Sequence, residues 1–189
     1  MQRRLTDVGP GLLVPAAWAV TAGAHAGAVG RHPVFVALCV MDVLLVAFYV
    51  VGRSAMDGPV LRVWRRVILA GFVATLAGTV DLAVGAGSDP VAPLTVLAWI
   101  LLPGVAYLAT GRAVTQRPYR QVYLLAGVAS LAGAGGYALA WTVGDAGALD
   151  DPVALWSLAL VGVGQTAGIL AAVAQNPGTA GGGSADGHA

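Results

Sequence analysis

Three ionisable residues, His25, Asp42 and Asp81, and the amide Gln165 each sit inside a long apolar run. An ionisable group near the centre of a membrane helix costs about 2.5–3.5 kcal/mol on insertion scales, so each asks for a reason. Histidine changes charge near neutral pH. Carboxylates within reach of it make a group that can relay protons, bind a cation or recognise a polar ligand. The same residues also suit a plainer role, as an interhelical hydrogen-bond network worth about 0.6 kcal/mol per bond. An Asp near the boundary has a third option, which is to reach out to water.

Depth brings the three together. His25 lies five residues from the outer end of its run, Asp42 eight residues below the start of the next, and Asp81 five residues from the outer end of the third. At about 1.5 Å per residue this places them about 7–12 Å below the outer boundary. His25, Asp42 and Asp81 are therefore the candidate intramembrane cluster, open to the outside. Gln165 lies deeper and is the secondary candidate. Small residues flank two of them: Gly23 and Gly27 bracket His25, and Gly164 and Gly168 bracket Gln165. Glycines four apart let helix backbones approach closely, so these four are candidate packing residues.

The runs that carry these groups number six. The chain has 189 residues, 58% hydrophobic and 10% charged, against about 25% charged in a soluble domain. A helix needs about 20 apolar residues to cross a bilayer core. Segments 12–30, 34–52, 67–86, 92–111, 121–143 and 153–174 qualify. They are unbroken rather than alternating, which excludes a β-barrel. The expected fold is an all-α integral membrane protein of six transmembrane helices in three hairpins. Residues 1–11 form a cytoplasmic N-terminus and 12–174 the transmembrane domain. The tail, 175–189, is Gly, Ala and Ser with little else, and is expected to be disordered. His188 lies there and receives no role.

Arginine sets the orientation. All ten basic residues are Arg and all nine acidic ones Asp. With the N-terminus inside, Arg3, Arg4, Arg53, Arg62, Arg65, Arg66, Arg112, Arg117 and Arg120 face the cytoplasm, and Arg31 alone lies outside. That is a strong positive-inside bias, with both termini cytoplasmic. Asp89, Asp145, Asp150 and Asp151 fall in the outer loops. Residues 1–24 also contain the parts of a signal peptide: Arg3 and Arg4, an apolar stretch, and Ala22-Gly23-Ala24. The apolar run continues beyond these to Gly30, so the segment is read as the first span.

Each outer turn ends in Pro-Val: Pro33-Val34, Pro90-Val91 and Pro152-Val153. Proline fits the first helical turn, where its missing donor costs nothing. Pro59 and Pro118 are 59 residues apart, and a further 59 reaches Pro177. The pattern raises a threefold internal repeat as an expectation. Arg62, Trp64, Arg65 and Arg66 make a basic, aromatic cytoplasmic segment suited to lipid headgroups. Several Trp and Tyr residues near span ends read as interfacial anchors. Pro103-Gly104 marks a kink in the fourth span.

Much chemistry is excluded. Without Lys there is no Schiff base. One cysteine, Cys39, forms no internal disulfide and no CxxC pair. No Gly-rich phosphate loop is present. Metal-ligand spacing of the HExxH type is absent, and one buried His does not make a bis-His haem site. No cofactor is expected. Rhomboid proteases also have six spans, but their Gly-x-Ser-Gly motif is missing. The contexts of Asp42 and Asp81 lack the Tyr-Asp and Gly-x-Gly-Asp motifs of intramembrane aspartyl proteases. A net charge of +1 gives no reason to expect nucleic acid.

The expected protein is a non-enzymatic membrane subunit or accessory protein of a larger complex. Its partners would be the bilayer, other membrane subunits or further copies of itself, in a prokaryotic cytoplasmic membrane. A small proton- or cation-coupled carrier built on His25, Asp42 and Asp81 is the alternative. A membrane sensor signalling through the segment at Arg62–Arg66 is the third reading.

Overall fold

A computed structural model of the chain describes residues 2–52, 56–85, 90–143 and 151–175. Expectations placed on Arg53, Asp89, Asp145, Asp150, His188 and the tail from 176 onward lie outside the described residues. Within them the structure is all-helical, with six helices: α1 (Gln2–His25), α2 (Arg31–Gly52), α3 (Pro59–Ala83), α4 (Val91–Ala113), α5 (Arg117–Val143) and α6 (Pro152–Gln175).

Five of these, α2 to α6, are long and apolar enough to cross a membrane, as in a multi-pass membrane protein. The first helix is not among them. It stops at His25 instead of reaching Gly30, and its opening includes Gln2, Arg3, Arg4 and Asp7. The stop is made by Gly27, whose φ of +70° favours glycine. Beyond the helix, Ala28 N–H and Val29 N–H both donate to the Gly23 carbonyl, at 2.8 and 3.0 Å. Gly23 and Gly27 therefore shape a helix-ending turn. A Cβ on Gly23 would meet Val29 of the same turn, and one on Gly27 would meet nothing within 4 Å.

On the Arg-rich side the helices begin earlier than the apolar runs. α3 starts at Pro59, with Gly58 as an extended N-cap and proline in the first turn, where no donor is lost. α5 starts at Arg117. Arg is a good helix former, so the helix extends through the charged residues. α4 runs through Pro103 without a break.

Packing neighbours follow the order α2–α3–α4–α5–α6–α1. The expected first hairpin is therefore not packed along its length: α1 lies against α6 and touches α2 little. The centre of the bundle is α5, which meets α4 and α6 through glycine. A Cβ on Gly127 would stand 2.9 Å from the Gly104 carbonyl of α4, and one on Gly133 would stand 3.0 Å from the Ser157 carbonyl of α6. Around these contacts sit two apolar clusters. One joins Ile100, Ala134, Tyr137, Ala154, Leu158 and Val161, with Trp18 of α1 against it. The other joins Tyr107, Tyr123, Ala126 and Ala171, with Trp64 against it.

Candidate functional site

Gln165 is buried, at 4% exposure, and its hydrogen bonding is complete. Its Oε1 accepts from Trp18 Nε1 at 3.2 Å. Its Nε2 donates to the Trp99 carbonyl at 3.2 Å and lies 3.4 Å from Ser130 Oγ. Its own carbonyl accepts from the Tyr107 hydroxyl at 2.9 Å. One residue thus ties α6 to α1, α4 and α5. Gly164 and Gly168 make room for this. A Cβ at Gly164 would sit 3.0 Å from Ala129 of α5, and one at Gly168 would collide with the Tyr107 ring of α4. A buried amide with both ends paired is a packing device.

His25 belongs to a second interface. Its Nδ1 lies 2.8 Å from the Thr21 carbonyl, which can only accept, so Nδ1 carries hydrogen and donates. Its Nε2 is 2.8 Å from the Tyr137 hydroxyl of α5, and in the neutral ring it accepts from that group. The two rings meet edge-on, 5.5 Å apart between centroids.

Asp42 belongs to a third. It and Leu45 are the buried residues of α2. Asp42 Oδ2 accepts from Thr79 Oγ1 of α3 at 2.7 Å. Its Oδ1 is enclosed and has no hydrogen-bond partner. Beside it is a groove of about 260 Å³ lined by Asp42, Val43, Val46 and Phe72. Asp81, also buried, lines a wider groove of about 550 Å³ on α3 and the start of α4, with Val73, Leu76, Val80 and Val91. His25 lines neither groove.

His25, Asp42 and Asp81 are all buried, and the hydrogen bonds of His25 and of Asp42 lie at different helix interfaces. Similar depth on successive helices does not by itself make side chains meet: His25 turns to Tyr137 of α5 and Asp42 to Thr79 of α3. Among the described residues, no group of three or more His, Cys, Asp or Glu side chains could hold a metal ion.

The basic segment divides in two. Arg62 and Arg66 are exposed and Arg65 is half-buried. Trp64 turns inward: its Nε1 donates to Thr110 Oγ1 at 3.1 Å and its ring stands edge-on to Tyr107 at 5.0 Å. The indole N–H needs an acceptor, and α4 supplies one.

Further aromatic and hydroxyl residues complete the polar interior. Tyr107, Tyr123 and Tyr137 are buried among the helices. Trp99 Nε1 donates to Thr75 Oγ1 at 2.9 Å, and Thr75 donates in turn to the Gly71 carbonyl. A Cβ at Gly71 would stand 2.8 Å from the Trp99 ring, so that glycine admits the indole. The available signal was the repeated small residue and threonine on α3, Gly71, Thr75, Gly78 and Thr79, which marks one helix face. By contrast Trp156 is 75% exposed, as a lipid-facing aromatic should be.

Compared with protein-family models, with curated proteins and with solved structures, the chain matches none.

Proposed function

We propose that this chain is a non-enzymatic subunit or accessory protein of a larger membrane complex. The observation that carries the reading is where the two buried acidic residues of α2 and α3 lie. Asp42 and Asp81 border grooves whose other walls include the exposed residues Val43, Val46, Val73 and Val80. Such walls face sideways, in the plane of a membrane, where the helix of another polypeptide arrives. The polar groups around Gln165, in contrast, are turned toward one another. Of the five apolar helices α2 is the most open, burying only Asp42 and Leu45. Small side chains and polar groups on helix faces are what membrane helices use to associate.

In this reading the protein crosses the membrane six times, with α1 as the sixth crossing, held against α6 through Trp18. Both termini lie in the cytoplasm of a prokaryotic cell, on the Arg-rich side. Arg62 and Arg66 rest on anionic lipid headgroups.

Native mass spectrometry of the protein, extracted gently from its own membrane, tests the assignment. A second polypeptide in fixed stoichiometry is expected. A lone monomer or a homo-oligomer overturns the reading and moves weight to a carrier, for which proton flux in vesicles is the next assay.

A further inference from the structure

Asp42 is about nine-tenths buried, and its hydrogen bonding is incomplete. An ionised carboxylate offers about four acceptor positions and no donor. Among the described residues a single hydroxyl, that of Thr79, fills one of them, on Oδ2, and Oδ1 has none. Burying an ionised carboxylate without partners is among the most costly placements in a protein. Among the described residues no cation makes an ion pair or hydrogen bond with it. Arg31, at the start of α2, donates to the Leu82 carbonyl. Arg62, Arg65 and Arg66 lie near the far end of α3, at least 13 residues before Thr79, or about 20 Å along the helix. Asp81 borders the other groove. His25 of α1 is engaged by Thr21 and Tyr137. His32, Cys39 and Tyr49 of α2 make no hydrogen bond to Asp42 among the described residues.

Thr79 supplies the second observation. Its Oγ1 lies 2.7 Å from Asp42 Oδ2 and also 3.0 Å from the Thr75 carbonyl. A hydroxyl has one hydrogen and cannot donate to both. If Asp42 is ionised, one of these short contacts holds no hydrogen. If Asp42 carries a proton on Oδ2, it donates to Thr79 Oγ1, and Thr79 donates to the Thr75 carbonyl. Both contacts are then hydrogen bonds. Oδ1 becomes a neutral carbonyl oxygen beside Val43, Val46 and Phe72, where a charge would be far more costly.

We propose that Asp42, with Thr79 and the Thr75 carbonyl, is a proton-binding site between α2 and α3, a carboxylic acid that gives its hydrogen to Thr79. It goes beyond the subunit reading and does not depend on it.

Infrared spectroscopy of the full chain in lipid vesicles at neutral pH tests the site. The wild type should show a carboxylic-acid C=O band that is lost in Asp42→Asn. In Thr79→Val, which removes the acceptor, the band should move to higher frequency. Absence of any acid band separating wild type from Asp42→Asn overturns the proposal. A band that ignores Thr79→Val overturns it as well. Should Asp42→Asn fail to fold, wild type against Thr79→Val decides alone: a shift supports the site, and unchanged spectra overturn it.

Discussion

The Trp18 indole donates to Gln165 Oε1 across 147 residues of chain, joining the first helix to the last. The same amide reaches the Trp99 carbonyl through Nε2, so α1 and α4 are held by opposite ends of one side chain. Replacing it with Leu removes both bonds and leaves the half-buried Trp18 N–H without this acceptor. Leaving such a group unpaired costs about 1–3 kcal/mol. Gln165→Leu should lower stability by about that amount, read from unfolding in mixed detergent micelles. Trp18 fluorescence should change with it. Unaltered stability would mean that the amide does not hold α1.

What could be read from the chain beforehand follows from what each signal measures. Apolar run length is a one-dimensional property, and it located α2, α4 and α6 to within a few residues. The helix α3 begins eight residues before its apolar run, at 59 against 67, because Arg-rich turns continue a helix beyond the apolar stretch. Run length counted 12–30 as a sixth run, whereas among the described helices only α2 to α6 are long and apolar enough to cross a membrane. Which helix lies beside which was not legible. α4 is apolar all round, so its sequence names no preferred face. Depth suggested one centre for His25, Asp42 and Asp81, yet His25 found Tyr137 and Asp42 found Thr79. Similar small-residue motifs also divided by context. At Gly164 and Gly168 it lies on a helix face against α5 and α4, whereas at Gly27 a positive φ makes it a turn.

Glycine positions give a paired test. At Gly168 a methyl group would run into the Tyr107 ring, whose hydroxyl is already committed to the Gln165 carbonyl. The ring has little freedom to withdraw. Gly168→Ala should cost about 1–3 kcal/mol, as overpacked cores do. Gly135, exposed on α5, has nothing within 4 Å of its added Cβ. Gly135→Ala should be neutral or stabilising by up to about 1 kcal/mol, because alanine restricts the unfolded chain. Equal effects in detergent unfolding would contradict the close packing of α6 on α4.

The His25–Tyr137 contact is suited to a double-mutant cycle. Tyr137→Phe keeps the ring and removes the donor, and His25→Leu removes the acceptor. Interhelical hydrogen bonds in membranes average about 0.6 kcal/mol and reach about 1.7 kcal/mol. A coupling energy in that range, from the four unfolding curves, is expected. A coupling of zero would show that α1 and α5 do not meet through this pair.

Orientation is open to direct labelling. Asp57 and Gln116 are exposed residues in the connections before α3 and α5, while His32 is exposed at the start of α2. The Arg distribution places the first two inside the cell and the third outside. Asp57→Cys, Gln116→Cys and His32→Cys, each in a Cys39→Ala background, present single thiols to a membrane-impermeant maleimide. Intact cells should label only the variant at position 32, and inverted vesicles only those at 57 and 116. If 32 and 57 label from the same side, α2 does not cross. If the pattern is reversed, the crossings stand but the Arg-rich loops face outward, against the charge rule that orients the whole chain.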